Sequence, residues 1–288
     1  MKVAFSPAEF DRKPRTIAIG TFDGVHRGHQ AVLAAAREGG GTSTVVTFHP
    51  HPRVVLGNAV ELLISIERRL ELLAELGVEE TLVVEFTPEI AALEPETFVR
   101  DYLLPLGAEL VVAGEGFRFG RRNSGDLDTI RACGLEARAV PLLEGVSSSR
   151  VRQLAFEGDA GAAARLLGRP LELDGVVVSG DQRGGTLGFP TANLRVGPEV
   201  CVPRFGIYAG AANGQRAAVS IGVNPHYGGS ERRIEAFLLD WEGDLYGTRL
   251  IVELWERLRD ERAFASEQEL VEQIAGDVER TRAATRPA

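Results

Sequence analysis

Residues 16–38, TIAIGTFDGVHRGHQAVLAAARE, and residues 43–50, STVVTFHP, decide the fold of the first half of the chain. A short β-branched run ends at Gly20, a glycine-containing loop follows, and apolar residues then recur at helical spacing before a second β-branched run. This is the pattern of a β-loop-α-β unit, in which the helix crosses over to a parallel strand. Helical periodicity over residues 67–76 and 95–104 alternates with strand patterns over 81–85 and 108–112, and the alternation runs to about Pro141. It predicts a doubly wound α/β domain with a parallel sheet, Rossmann-like in class.

The pattern then changes. Helical segments over residues 149–157 and 160–167 end at Gly168-Arg169-Pro170, a glycine stop followed closely by proline. The expected boundary lies there, giving domains of residues 1–168 and 169–288. Short strand patterns follow over residues 173–179, 207–211, 216–221, 234–239 and 249–258, separated by glycine-rich turns, and they predict a small β-barrel. Ser266 with Glu269 three residues later forms a capping box for a closing helix to about Thr281.

With 288 residues, two domains each have enough chain for a core. Hydrophobic residues make up 44% and charged residues 25%, and no run reaches the roughly 18 apolar residues of a membrane span. The amino terminus carries no secretory-signal pattern, so a cytoplasmic location is expected. The only cysteines, Cys133 and Cys201, cannot form a disulfide scaffold or a four-cysteine zinc site. A formal charge of −9 and a pI of about 5.2 argue against a nucleic-acid partner. Small phosphorylated ligands remain compatible, since local N–H donors at a helix start suffice for them. The expected partners are thus small molecules, with neither a membrane nor an obligatory protein partner.

GTFDGVHRGH, residues 20–29, is the first candidate site. Gly20 closes the strand, and Phe22 and Asp23 lie in the loop. His26 and His29 are three residues apart, so both imidazoles can face one ligand over the helix N-terminus, where the dipole favours anions. Gly28 keeps side-chain bulk away from that approach. A surface histidine pair, or zinc with Asp23 as a third ligand, are the alternatives from spacing alone.

The second candidate site is GVVVSGDQRGGTLGFPTANL, residues 175–194, with glycines at 180, 184, 185 and 188 before Pro190 and Thr191. Clustered glycines let backbone wrap phosphates closely. The Thr191 hydroxyl suits Mg²⁺ or phosphate, and the Asn193 amide can brace it.

Residues 20–29, with TFHPHP (47–52), AGEGFRFGRRNSGD (113–126) and VSSSRVR (146–152), resemble the HxGH adenylyltransferase part of bacterial bifunctional riboflavin kinase/FAD synthetases. GFPTANL (188–194), IGVNPHYGG (221–229), IEAFLLDWEGDLYG (234–247) and LRDERAF (258–264) resemble the kinase part, a six-stranded barrel. The resemblance implies that His26 and His29 contact ATP phosphates, and that Ser147, Ser149, Arg150 and Arg152 form a second phosphate clamp. By the same resemblance Asn123, Arg259 and Glu261 lie near flavin, and Gly184, Gly188, Pro190 and Thr191 hold the kinase nucleotide. Glu235 becomes the base for riboflavin's hydroxyl, although strand alternation alone makes it simply an outward-facing residue.

The implied reactions are phosphorylation of riboflavin to FMN and adenylylation of FMN to FAD, with ATP and Mg²⁺. Three positions depart from the family pattern: Gly116 stands where an acid is usual, beside Glu115; His226 replaces a threonine; and Phe237 replaces a histidine. Gly116 motivates an alternative in which the first domain is impaired or regulatory and only the kinase works.

Overall fold

The computed structural model describes residues 1–179, 189–223 and 232–287, and divides into two compact units. The first, Met1–Glu61 with Ile66–Ser147, is built on a sheet of six strands: β1 (Lys2–Ala4), β2 (Arg15–Ile19), β3 (Thr42–His49), β4 (Glu80–Glu85), β5 (Ala108–Gly114) and β6 (Glu136–Val140). Their order is β1-β4-β3-β2-β5-β6, and every pairing is parallel. From β2 the chain moves out through β3 and β4 on one side, then resumes on the other side with β5 and β6. The reversal lies between β2 and β5, and ligands of open α/β sheets bind at the carboxyl ends of strands beside such a switch point. The GTFDGVHRGH loop leaves the end of β2 there.

All five residues of β2 are buried, and six of the eight in β3, because helices cover both faces. Ile17, Ile19, Val46, Leu82 and Val111 pack with Phe98, Leu103 and Ile130 in one core. The expected helix over 95–104 is a single helical turn, Pro95–Phe98, continued by a wider π-helical turn, Val99–Leu103.

The second unit, Leu62–Ser65 with Ser148–Ala288, contains a closed barrel. Its strands are β7 (Leu171–Val178), β8 (Ala192–Val196), β9 (Gly206–Ala212), β10 (Gln215–Val223), β11 (Arg232–Leu238) and β12 (Arg249–Arg259). They close in the order β10-β11-β8-β7-β12-β9, each pair antiparallel. Side chains alternate as a small barrel requires: Ala217, Val219 and Ile221 of β10 and Ile234, Ala236 and Leu238 of β11 fill the interior. Of the six strands, β8 was not among the sequence-predicted five. Its five residues, ANLRV, carry the polar Asn193 and Arg195 outward and follow a proline, so the strand signal is short.

Packing separates the units at Ser147/Ser148, about twenty residues before the stop signal at Gly168. Helices Ser148–Glu157 and Ala160–Leu167 contribute Val151, Leu154, Ala155, Ala163 and Leu167 to the cluster that holds Leu171, Tyr208 and Leu254 of the barrel. Gly168 does end its helix, with φ of 71°, but the chain continues within the same core. The closing helix is Glu267–Ala283, capped by the Ser266 hydroxyl, which accepts from the Glu269 N–H.

Candidate functional sites

The loop after β2 takes its shape from backbone conformations that side chains rarely adopt. Phe22 and Val25 have φ of 50° and 40°, and Gly24 has φ of 77°. Such non-glycine residues cost roughly 1–3 kcal/mol each and persist only where surroundings over-determine them. Here Phe22, Asp23 and Val25 are all buried, Val25 N–H donates to the Phe22 carbonyl at 3.1 Å, and Gln30 Nε2 donates to the Val25 carbonyl at 3.0 Å.

Helix α1 (Arg27–Glu38) begins one residue after His26, which is its N-cap. His26 Nδ1 accepts from the His29 N–H at 3.3 Å, and the two rings stack with centroids 3.6 Å apart. The edge of Phe22 closes on His29 at 5.3 Å. A Cβ at Gly28 would lie 3.1–3.2 Å from the His26 ring, so any side chain there presses on the capping imidazole. This is the physical content of glycine between the two histidines.

His29 titrates well below the ordinary histidine range, first because burial disfavours its charged form and then because His26 and Arg69 repel a proton. Its Nδ1 is shielded from solvent without a hydrogen-bond partner. Among the described residues no three His, Cys, Asp or Glu side chains converge as a metal site would.

Arg69, on the helix Ile66–Glu75, was not legible as a site residue. It is fully buried, and Nη1 donates to the Phe48 carbonyl at 3.1 Å and to Thr47 Oγ1 at 3.4 Å. The Thr47 hydroxyl in turn donates to the Thr21 carbonyl at 3.2 Å, so the guanidinium braces the loop after β2 through Thr47. Burial lowers its pKa, and the neighbouring carboxylates of Asp23 and Glu67 oppose that shift.

Two cavities flank the end of β2. One, of about 400 Å³, is lined by Gly20, Phe22, His26, Gly28, His29, Glu115, Gly116 and Ser147 and walled by Leu142, Leu143 and Val146. Gly116 has φ of 76° and open space where a Cβ would stand. The other, of about 460 Å³, is lined by aromatic Phe48, Phe86, Phe98, Phe117 and Phe119, with Asn123 at its wall. Both volumes suit small ligands. Asn123 and the preceding Arg122 both have left-handed backbone, with φ of 58° and 55°. Ser149, Arg150 and Arg152 lie on the helix Ser148–Glu157, which belongs to the barrel unit.

On the barrel, alternation sends Glu235 outward between the buried Ile234 and Ala236. Its direct partner across β8 is Asn193, and the Thr191 hydroxyl donates to Glu235 Oε1 at 3.4 Å. Arg233 ties the group together: its Nε donates to Asn193 Oδ1 at 3.1 Å and lies 3.2 Å from Glu235 Oε1. Sequence reading did not single out Arg233, whose signal is only its place two residues before Glu235 on the same strand face.

Phe237, in place of the usual histidine, packs edge-on against Phe189 at 5.3 Å. Pro190 is exposed beside it. Gly184, Gly188 and the Asn224-Pro225-His226 segment lie outside the described residues.

The two barrel-unit residues among those expected near flavin, Arg259 and Glu261, differ in their surroundings. Glu261 lies against Gly222, where a Cβ would approach its carboxylate to 2.0 Å. Burial raises the Glu261 pKa; Arg259 pulls it down, and the charge of Glu235 adds to the rise. Arg259 instead makes a two-pronged pair with the buried Asp277 of the closing helix, at 2.9 Å from Nε and 2.7 Å from Nη2.

The fold and sites define a class: a parallel-sheet unit with a histidine-capped turn at its switch point, joined to a six-stranded barrel with a carboxylate on its outer face. Residues 9–149 match the family model described as FAD synthetase, and residues 167–285 match that described as riboflavin kinase. A Listeria monocytogenes protein named bifunctional riboflavin kinase/FMN adenylyltransferase is 35% identical, with 93% of this chain and 92% of the relative covered. A Bacillus subtilis protein of the same name is 37% identical, with 91% and 89% covered. A Streptococcus pneumoniae crystal structure described as a macrolide-efflux protein superposes with a TM-score of 0.87 at 30% identity, with 97% and 98% of the two chains covered.

The chain belongs to the bifunctional riboflavin kinase/FMN adenylyltransferase family. Among its described residues no helix is long and apolar enough to cross a membrane.

Proposed function

We propose that the chain carries out both steps of FAD formation: the barrel phosphorylates riboflavin to FMN, and the parallel-sheet unit adenylylates FMN to FAD with release of pyrophosphate. The observation that carries the second step is the pair of cavities beside the His26–His29 turn. The cavity at the histidines suits ATP, and the aromatic one suits the isoalloxazine ring of FMN, with Asn123 at its wall. This arrangement favours a working adenylyltransferase over an impaired one, because Glu115 and the open space at Gly116 lie in the nucleotide cavity.

In adenylyl transfer an oxygen of the FMN phosphate attacks the α-phosphorus of ATP, and the bond to the bridging oxygen of the β-phosphate breaks. The nucleophile is already ionised, so no base is needed. The imidazoles and the start of α1 stabilise charge on the α-phosphate and the departing pyrophosphate.

In the kinase step a base is needed. Glu235 takes the proton of riboflavin's 5′-hydroxyl as that oxygen bonds to the γ-phosphorus and ADP leaves. Glu235 Oε1 lies 3.2 Å from Arg233 Nε and accepts from the Thr191 hydroxyl at 3.4 Å, contacts that set the carboxylate's position on the barrel face. Thr191 and Asn193 offer the hard oxygens that Mg²⁺ takes alongside substrate phosphates, and Asn193 Oδ1 keeps a lone pair beyond the one given to Arg233. Held there, Mg²⁺ would supply positive charge against the transferring phosphate. Glu261, beside Glu235, supports a place near the flavin ring, whereas the Asp277 pair gives Arg259 an anchoring role. Pro190 and the glycines at 184 and 188 belong to the kinase nucleotide loop on the strength of the motif.

The substrates are small molecules, and the reading includes a cytoplasmic location with no obligatory protein partner. The experiment is a product analysis with riboflavin, ATP and Mg²⁺: FMN appears first and FAD follows. Unchanged riboflavin would contradict the kinase reading.

A further inference from the structure

The two cavities of the parallel-sheet unit share four lining residues, Gly20, Thr21, Phe117 and Arg118. Where ATP fills one cavity and FMN the other, the attacking phosphate and the α-phosphorus meet at this seam. Of the four residues, Arg118 alone carries charge.

Its position follows from the local chain. Phe119 is buried in the core and held by paired backbone bonds with Gly125, its N–H donating at 3.1 Å and its carbonyl accepting at 2.9 Å. Phe117 stacks with Phe119 at 5.7 Å, and alternation turns the intervening Arg118 to the open side.

There Arg118 Nη1 contacts Asp126 at 2.7 Å. The Asp126 carboxylate also caps the helix Leu127–Ala132, where its Oδ1 accepts from the Asp128 and Thr129 N–H groups. A half-exposed ion pair contributes little, so the guanidinium can leave Asp126 for a phosphate at small cost.

We propose that Arg118 is a catalytic residue of adenylyl transfer, binding the phosphates of FMN and ATP where they meet. The proposal rests on the adenylyltransferase reading above. As the FMN oxygen bonds to the α-phosphorus and the electron pair of the breaking bond leaves on pyrophosphate, negative charge concentrates at the seam. A planar guanidinium spans two phosphate oxygens in a way that a point charge cannot.

The test compares wild type, Arg118→Gln, Arg118→Lys and Asp126→Asn, each assayed for FMN-to-FAD conversion and, in the same preparation, for riboflavin phosphorylation. The expected result for Arg118→Gln is a fall in FAD-forming kcat of about 100-fold, with KM for ATP changed far less and FMN formation from riboflavin unchanged. Arg118→Lys recovers part of the loss. Asp126→Asn breaks the same ion pair but keeps a capping side chain, and it retains FAD formation.

Wild-type FAD formation in Arg118→Gln, or an equal loss in Asp126→Asn, overturns the proposal while leaving the adenylyltransferase reading intact. Absence of FAD with the wild-type protein overturns that reading first, and the role of Arg118 with it.

Discussion

His26 caps α1 through Nδ1, accepting the His29 N–H at 3.3 Å, while the two imidazoles stack face to face at 3.6 Å. A neutral ring that accepts at Nδ1 carries its proton on Nε2, so the cap itself leaves His26 a donor for a phosphate. One contact therefore both starts the helix and sets the tautomer.

That dual role separates two variants. His26→Asn keeps a good N-cap but loses the imidazole donor, so thermal stability should hold while FAD formation falls about 100-fold. His26→Ala loses both and should also lower unfolding free energy by about 1 kcal/mol. Equal stabilities in the two variants would show that the Nδ1 contact contributes nothing to the helix.

The depressed pKa of His29 gives a pH dependence of known sign. The unfolded chain takes up a proton near the ordinary histidine pKa of about 6.5, whereas the folded state resists until lower pH. Stability is therefore fully present above the unfolded value and is lost as pH falls through the folded one. Denaturant unfolding of wild type and His29→Gln between pH 7.5 and 5 checks this. The variant should show a flatter profile, and parallel profiles would exclude His29 as the source.

Glu235→Gln removes the base and keeps the shape. FMN formation from riboflavin should fall by about 100-fold to 10,000-fold, while FAD formation from supplied FMN continues. His29→Ala should do the reverse. Loss of both activities in either variant would mean that the two sites are not separate.

The Arg259–Asp277 pair predicts a stability effect. Asp277 is buried within the closing helix, and its loss strands the Arg259 guanidinium against that helix. Asp277→Ala should destabilise the barrel unit by about 3 kcal/mol, read as a lower denaturation midpoint, with the His-turn unit unaffected. If Asp277→Ala instead left stability unchanged while raising KM for riboflavin, Arg259 would belong to the flavin site.

The alternating fold was legible because β2 and β3 are rich in β-branched residues and lack the helical spacing of apolar residues seen in α1. β8 was not, because it is only five residues long and its outward face carries the polar Asn193 and Arg195. The stop signal at Gly168 does end a helix, but it marks a local backbone event and carries no information about which core that helix joins.

The spacing of His26 and His29 was visible in the sequence, but His26 stands as the N-cap ahead of α1 and meets His29 by stacking across the cap rather than along a helix face. Arg69 was not visible: an arginine in a helix reads as surface charge, and only tertiary packing places it under Thr47 and Phe48. The aromatic cavity draws Phe48, Phe86, Phe98 and Phe119 from separate elements, a convergence that sequence spacing cannot carry.

The central claim is that one chain makes FMN and then consumes it. The most direct measurement follows riboflavin, FMN, FAD and pyrophosphate over time after mixing the protein with riboflavin, ATP and Mg²⁺. The account predicts that FMN rises and then declines as FAD appears, with one pyrophosphate released per FAD. FMN that accumulates to completion without FAD or pyrophosphate would contradict it.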